Sequence, residues 1–441
     1  MNIEQLKELL RESGIVGAGG AGFPTYAKLD KSADTLILNC AECEPLLRLH
    51  REVLKMYTHE ILSTLYQISK ILEVNTVYIG IKGSYKRTVA AVNQEIASFP
   101  NMKVCTLPEV YPAGDEVVLT YEATGRVVPA GAIPLSVGVT VLNVETVYNI
   151  YRAMQGKPVT HKYVTITGGV KTPVTVYAPL GITVDELLNM AGGITIDNPA
   201  YIMGGPMMGR LINPSDTVTK TTNAVLVLPR TLPLVQKKLS KPFIDIKRAM
   251  SACCQCSYCT SLCPRALLGH PIDPSAFMLA ASNGVTNDAA PYLNSLYCSG
   301  CGLCELYSCG QGLSPRSLLT ETKNGLRKNG IKAQKSPAMR EVDSARNMRM
   351  IPLSRLRSRL GLDPYNKAAP VNEEPLKFKS LSIALSQHIG APAVAKVTKG
   401  DKVTAGQLIA APAENALSVA IHSPIDGIVT DVTKNKIIIS I

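Results

Sequence analysis

The chain has 441 residues, 46% hydrophobic and 18% charged, so it is too long for one core and too apolar to be disordered; three or four domains are expected. No run approaches the roughly 20 apolar residues of a bilayer span, and Met1–Leu6 lacks the basic and apolar regions of a secretory signal, so a cytoplasmic protein is expected. The formal charge is +12, but half of it is local: residues 331–360 hold eight Lys/Arg against Glu341 and Asp343, a net +6.

In chain order, Ile3, Leu6, Leu9 and Leu10 fall at helical spacing, which suits either a targeting helix or a helix docked on its own domain. The loop Gly17-Ala18-Gly19-Gly20-Ala21-Gly22-Phe23-Pro24-Thr25 follows. It contains a GxGxxG-like run, yet no strand precedes it, so it fails the context of a dinucleotide fingerprint. Its glycines still let backbone approach a flat ring or a phosphate closely. Strands are expected at 35–38, 76–81 and 103–106, with a helix over 84–98, which implies βαβ units and a mostly parallel sheet. Polar clusters sit near predicted strand ends: Asn39, Glu42 and Glu44; Tyr111, Gly114, Asp115 and Glu116; Asn143 to Thr146. Ligands of open α/β sheets gather there, although any one cluster alone could be turn chemistry.

From about 160 the pattern becomes two strands around a Gly-containing turn (163–169 and 173–177), a helix over 183–190 and a strand at 200–203, which suggests a β-grasp module. The last unit carries short β-like runs at 393–397, 407–412, 418–422, 427–432 and 437–441, the pattern of a small all-β sandwich or barrel. The stretch 411–424 contains no Lys, so this unit is not expected to carry a covalent biotin or lipoate, and His388 and His422 read as packing residues.

Twelve cysteines in such a chain need metal rather than disulfides, and nine lie between Cys253 and Cys309. Cys253, Cys256, Cys259 and Cys263, followed by Pro264, make the C-x2-C-x2-C-x3-C-P spacing of bacterial ferredoxins. Cys298, Cys301, Cys304 and Cys309 make a second run with a last gap one residue longer. Structural zinc favours two separated pairs and fits these triple-plus-one runs poorly. In two-cluster ferredoxins the fourth cysteine serves the other cluster. The expectation is therefore one [4Fe–4S] cluster on Cys253, Cys256, Cys259 and Cys309, and another on Cys298, Cys301, Cys304 and Cys263. Cys254 is spare. Two clusters and a flavin phosphate would lower the net charge to about +6, a weak case for nucleic acid. The basic strip then reads as a solvated linker or as a docking strip for an acidic partner.

Taken together these motifs resemble the RnfC/PduS family and, for the first 155 residues, the NADH-binding flavoprotein subunit of complex I. The complex I loop G-R-G-G-A-G-F-P-T appears as Gly17–Thr25, with Ala18 in place of its arginine. The resemblance implies FMN against Gly17, Gly19, Gly20 and Gly22, with Asn39, Asn143 and Thr146 around ribityl and phosphate. Phe23, Lys28 and Glu116 would lie by NADH; Glu42, Glu44, Tyr111, Gly114 and Asp115 complete the family motifs. The same family carries a helix before the glycine loop, which favours the docked reading of the N-terminus.

The implied architecture is a multidomain α/β and α+β chain: a flavin-binding α/β domain (1–155), an SLBB β-grasp domain (156–235), a helical two-cluster ferredoxin-like domain (240–330), a basic linker (331–372) and a C-terminal barrel-sandwich hybrid (373–441). RnfC carries that last unit at its N-terminus; the C-terminal position and the longer second gap are similar to the cobalamin reductases of bacterial microcompartments. The resemblance implies an NADH-dependent reductase that passes electrons through FMN and two [4Fe–4S] clusters to a corrinoid. The alternative is an RnfC-like relay docking to a membrane or soluble partner complex. A microcompartment location, with a shell protein or an adenosyltransferase as partner, is the further expectation. No transmembrane segment and no acid–base residue belong to this scheme.

Overall fold

A computed structural model describes residues 1–334 and 337–441; Lys335, part of the basic strip, lies outside them. Helix α1 (Ile3–Glu12) starts at a capping box in which the Asn2 side chain accepts from the Gln5 N–H and the Gln5 side chain accepts from the Asn2 N–H. Leu6 and Leu10 are fully buried, so this is a docked helix. Strands β1 (Thr35–Cys40), β2 (Thr76–Lys82) and β3 (Met102–Leu107) are followed by the short β4 (Val110–Tyr111) and by β5 (Val139–Asn143). The sheet order is β3-β2-β1-β5 and every pairing is parallel. Its near-continuous apolar strands are those of a sheet covered on both faces. Helices α2 (Leu49–Met56), α3 (Thr58–Leu72), α4 (Lys86–Glu95), α5 (Glu116–Thr124) and α6 (Val144–Met154) supply that cover.

The chain leaves β1 toward β2 and β3 on one side and returns to β5 on the other. Strand order therefore reverses between β1 and β5, and the register sets Asn39 beside Asn143 at their carboxyl ends. Such a reversal opens a crevice for ligand.

The second unit holds β6 (His161–Gly168), β7 (Val174–Pro179), α7 (Val184–Met190), β8 (Pro199–Met203), β9 (Arg210–Ile212) and β10 (Ala224–Pro229). Residues 371–372 add an edge strand parallel to β7, so one sheet of six strands replaces the three read from the sequence. The helix α7 opens with a Thr183–Glu186 capping box.

In the cysteine-rich unit, helices 242–252, 274–283 and 315–328 pack around Phe277, Leu313 and Leu319. The basic strip is more than a tether. Residues 351–352 pair antiparallel with β4, and Leu356 and Leu362 are fully buried. Arg346 is buried too, paired with Glu122 and lying 4.7 Å from the Tyr121 ring centre. A charged stretch with scattered apolar residues has no periodicity, so the sequence alone does not show this strap.

The C-terminal unit consists of two small sheets, one built on strands 380–384, 402–403, 427–432 and 436–440, the other on 394–395, 408–411 and 421–422. It docks on the first unit: the Ile389 N–H donates to the Ala21 carbonyl and the Ala420 N–H to that of Arg11, both at 3.1 Å. Lys220 of the second unit joins all three, donating at 2.7 Å to the carbonyls of Gly14 and Ala420. Burial pushes its pKa down to about 7. His422 is buried against this junction, in keeping with a packing role. Among the described residues no helix is long and apolar enough to cross a membrane.

Candidate redox centre

The crevice between β1 and β5 is a cavity of about 450 Å³, within the range of small-molecule sites. Twelve of the residues singled out in the sequence line it: Gly17, Gly19, Gly20, Phe23, Lys28, Asn39, Glu42, Glu44, Gly114, Glu116, Asn143 and Thr146. Gly22, Tyr111 and Asp115 stand behind the wall.

The glycine loop closes on itself through Gly17 N–H to Phe23 O at 2.9 Å. Thr146, in the first turn of α6, accepts the Ala18 N–H at 2.9 Å and fixes the loop's height above the sheet. A Cβ at Gly19 would stand 3.3 Å from Asn223 Nδ2, so the loop passes the second unit closely enough that a side chain there would have to push that amide aside. At Gly22 a Cβ would meet Thr221 at 2.6 Å and His388 at 3.3 Å, and φ is +68°. That glycine lets the second and C-terminal units seat against the loop.

Asn39 braces the strand end, donating to Gly114 O and accepting from the Ala41 N–H, both at 3.0 Å. Asn143 caps α6 by accepting from the Glu145 N–H, and its Nδ2 lies 3.2 Å from His50 Nε2. Lys28 reaches Glu116 at 2.5 Å and the Val141 carbonyl at 3.3 Å. Glu44 accepts the N–H groups of Met207 and Met208 at 2.8 Å each and so ties the cavity wall to the second unit. Glu42 is buried; it accepts the His50 N–H at 3.3 Å through one oxygen, while the other has no partner among the described residues. Desolvation raises its pKa to about 7 and pushes that of His50 down to about 3, leaving the imidazole neutral. The cavity thus offers apolar walls, a glycine cradle and two buried oxygens without partners among the described residues, Glu42 Oε2 and Thr25 Oγ1. A flat ring with a polyol phosphate tail fits that set.

Sequence reasoning missed His50 and Asn223, both in the lining. Asn223 accepts from the buried Lys162 ammonium at 2.8 Å, and Lys162 pairs with Glu145 of α6. Only the Glu145 end of this network lies in a motif.

Cys263, Cys298, Cys301 and Cys304 ring one small space closed by Arg265, Arg316 and Leu319. These are the four expected to share a cluster across the two runs. Burial pushes the Cys263 thiol up to about 11 and those of Cys301 and Cys304 higher, so thiolates here require a compensating metal charge. In the second set, Cys259 feels Cys309 and Cys256 directly, and Cys253 and Cys309 pack on one small core. The loop between these thiols turns through positive φ at Gln255 and Ser257. Cys254 and Cys256 are exposed, whereas Cys304 is buried. Among the described residues no three His, Cys, Asp or Glu converge tightly enough for a single ion; the four sulfurs of a cubane stand further apart than the ligands of one metal.

Three contacts join the cavity to the inner ring. The Tyr111 hydroxyl donates to the Cys301 carbonyl at 2.6 Å. Arg265, two residues after Cys263, forks onto Asp115, the N-cap of α5, with two contacts at 2.9 Å and one at 3.3 Å. Glu44 holds Met207, which packs beside Gly302.

Against known proteins, residues 10–152 match the Nuo51 FMN-binding domain, 163–211 the SLBB domain, 252–314 a 4Fe-4S dicluster domain and 362–440 the RnfC barrel sandwich hybrid domain. The cobalamin reductase PduS of Salmonella typhimurium is 37% identical over 439 residues, covering 99% of this chain and 96% of the relative. The chain belongs to the PduS cobalamin reductase family. The Citrobacter freundii member is also 37% identical, over 98% of the chain and 96% of its own length. A component of the ion-translocating oxidoreductase complex of Vibrio cholerae is 37% identical over 60% of this chain, but that match spans only 34% of the component's own length. The family and its domains make this chain an NADH-dependent flavin and iron–sulfur oxidoreductase, with FMN and [4Fe–4S] clusters as cofactors.

Proposed function

We propose that the chain carries electrons from NADH to a corrinoid, and that the residues singled out in the sequence hold the cofactors. The observation that carries this reading is the clamp between the residues behind the cavity wall and the inner thiol ring, through Tyr111–Cys301 and Asp115–Arg265. When bound, FMN would supply the exchange between two-electron and one-electron chemistry, and the clusters would take single electrons. The protein's part is positioning. Gly17, Gly19 and Gly20 bring backbone against the ring, and Asn143 and Thr146 face the polyol and phosphate. Phe23 and Lys28 meet the nicotinamide nucleotide, with Glu116 orienting Lys28. Burial favours the neutral forms of Glu42 and His50, so the floor of the cavity is largely uncharged below pH 7.

Cys253, Cys256, Cys259 and Cys309 would hold the outer cluster, and Cys263, Cys298, Cys301 and Cys304 the inner one. The division into units at 1–155, 156–235, 240–330, 331–372 and 373–441 belongs to the same proposal. So do a cytoplasmic or microcompartment location and a shell protein or adenosyltransferase as partner. The test is reduction of aquocobalamin by NADH with the reconstituted protein. A rate well above that of free FMN supports the reductase; a rate no better refutes it and favours the relay of an RnfC-type assembly.

A further inference from the structure

We infer that the electron acceptor binds in the polar cleft between the outer thiol ring and residues 340–349 of the strap, not at the flavin cavity or in the groove of Arg355 and Arg359; this rests on the corrinoid reading above. Three observations carry it. The first is direction. The inner ring faces the flavin unit through Tyr111 and Arg265, while the outer ring carries the exposed Cys256 within a stretch, Met250 to Tyr258, that is exposed at every residue but Cys253. Electrons entering at the cavity therefore leave from the outer ring.

The second is the cleft itself, about 330 Å³, lined on one side by Gln255, Ser257 and Thr260 from the first cysteine run. Gln255 and Ser257 flank Cys256, and the Gln255 amide reaches Cys253 Sγ at 3.3 Å. Ser275 and Leu279 form the opposite wall, Ser275 within 3.1 Å of Ser257. A ligand seated here touches Gln255, whose amide contacts Cys253 of the outer ring.

The third is chemistry. The formal charges in the cleft balance. Arg349 pairs with Asp343 at 2.8 Å, and Asp273 accepts from the Thr260 hydroxyl and the N–H groups of Ser275 and Ala276. Among the described residues the Arg340 side chain makes one hydrogen bond, at 3.4 Å to the His270 carbonyl, and it lines the cleft. Hydroxyls, one amide and the Arg340 guanidinium suit a bulky, nearly neutral molecule edged with amides and bearing a phosphodiester, which is the periphery of cobalamin. An acidic protein would prefer the other open groove, where Arg355 and Arg359 stand beside Tyr307.

The test uses the holoenzyme, reduced anaerobically with NADH, and follows cluster reoxidation by stopped flow with hydroxocobalamin or with hexaammineruthenium(III), a small cation that needs no cleft. The variants are Leu279→Glu with Arg340→Glu in the cleft, and Arg359→Glu in the basic groove as control. The expected result is a tenfold or greater slowing with hydroxocobalamin in the cleft variant alone, unchanged flavin reduction by NADH, and no slowing with the ruthenium complex. Normal cobalamin rates in the cleft variant, or slowing by Arg359→Glu instead, would overturn the site while leaving the reductase intact. Equal slowing with both acceptors also overturns it, because the residues would then act through the cluster. Arg340→Gln alone gives the same discrimination should the double variant fail to fold. A wild-type protein that reoxidises no faster than free reduced FMN overturns both the function and the site.

Discussion

Replacing Glu42 by Gln should alter how stability depends on pH. Glu42 lies buried on the floor of the flavin cavity, with one oxygen on the His50 N–H and the other without a partner among the described residues. Burial raises its pKa from 4.5 to about 7, against the opposing fields of Arg51 and Lys82. The unfolded chain titrates this carboxyl near 4.5, so the folded chain binds the proton more tightly. Stability linked to that proton is fully present below pH 4.5 and is lost as pH rises through 7. At about 1.4 kcal/mol per pH interval, the full loss is about 3 kcal/mol. Gln keeps the shape and the acceptor for His50 but does not titrate. The advantage of Glu42→Gln over wild type should therefore grow from about 1 kcal/mol at pH 5 to about 3 kcal/mol at pH 8. Urea unfolding of the apo protein across that range measures it. A difference that stays constant from pH 5 to pH 8, whatever its size, would refute the reasoning, because the carboxyl would then titrate alike in both states.

Three further outcomes are expected. If the rings cross the two cysteine runs, Cys263→Ala with Cys298→Ala should retain about four of the roughly eight irons, as each single variant does, whereas Cys263→Ala with Cys253→Ala should lose nearly all; iron and sulfide analysis reads this, and the reverse pattern would mean uncrossed rings. Arg265→Gln removes a guanidinium from the wall of the inner ring and should move that cluster alone to a more negative potential in an EPR redox titration; equal shifts of both clusters would count against an inner position. Lys28→Met removes the cation that Glu116 orients in the cavity and should raise KM for NADH about tenfold or more with kcat changed far less; an unchanged KM would place the nucleotide elsewhere.

The clusters were legible in the sequence because a cubane constrains local spacing: three thiols at two-residue gaps must wrap one object, whatever the surrounding fold. The glycine loop was legible because backbone that lines a ligand cavity or turns at positive φ favours Gly, as at Gly19 in the lining and Gly22 at φ +68°. The docked N-terminal helix was open on its apolar face alone, and buried Leu6 and Leu10 decide it.

What the sequence by itself determined was the inventory: the cofactor classes, the α/β, grasp and sandwich units, and the candidate ligands, each set by short-range periodicity or spacing. What only the tertiary structure decided was the wiring. Asn39 and Asn143 become neighbours because parallel β1 and β5 pair at the point where strand order reverses. His50, Asn223 and Arg265 enter from a helix, a second unit and a cluster loop, and no periodicity links them. Arg265 meets Asp115 across 150 residues, and the strap at 351–352 finds β4 across more than 200. Such contacts are set by the packing of faces buried together, and a spacing rule reads only residues that share one stretch of backbone.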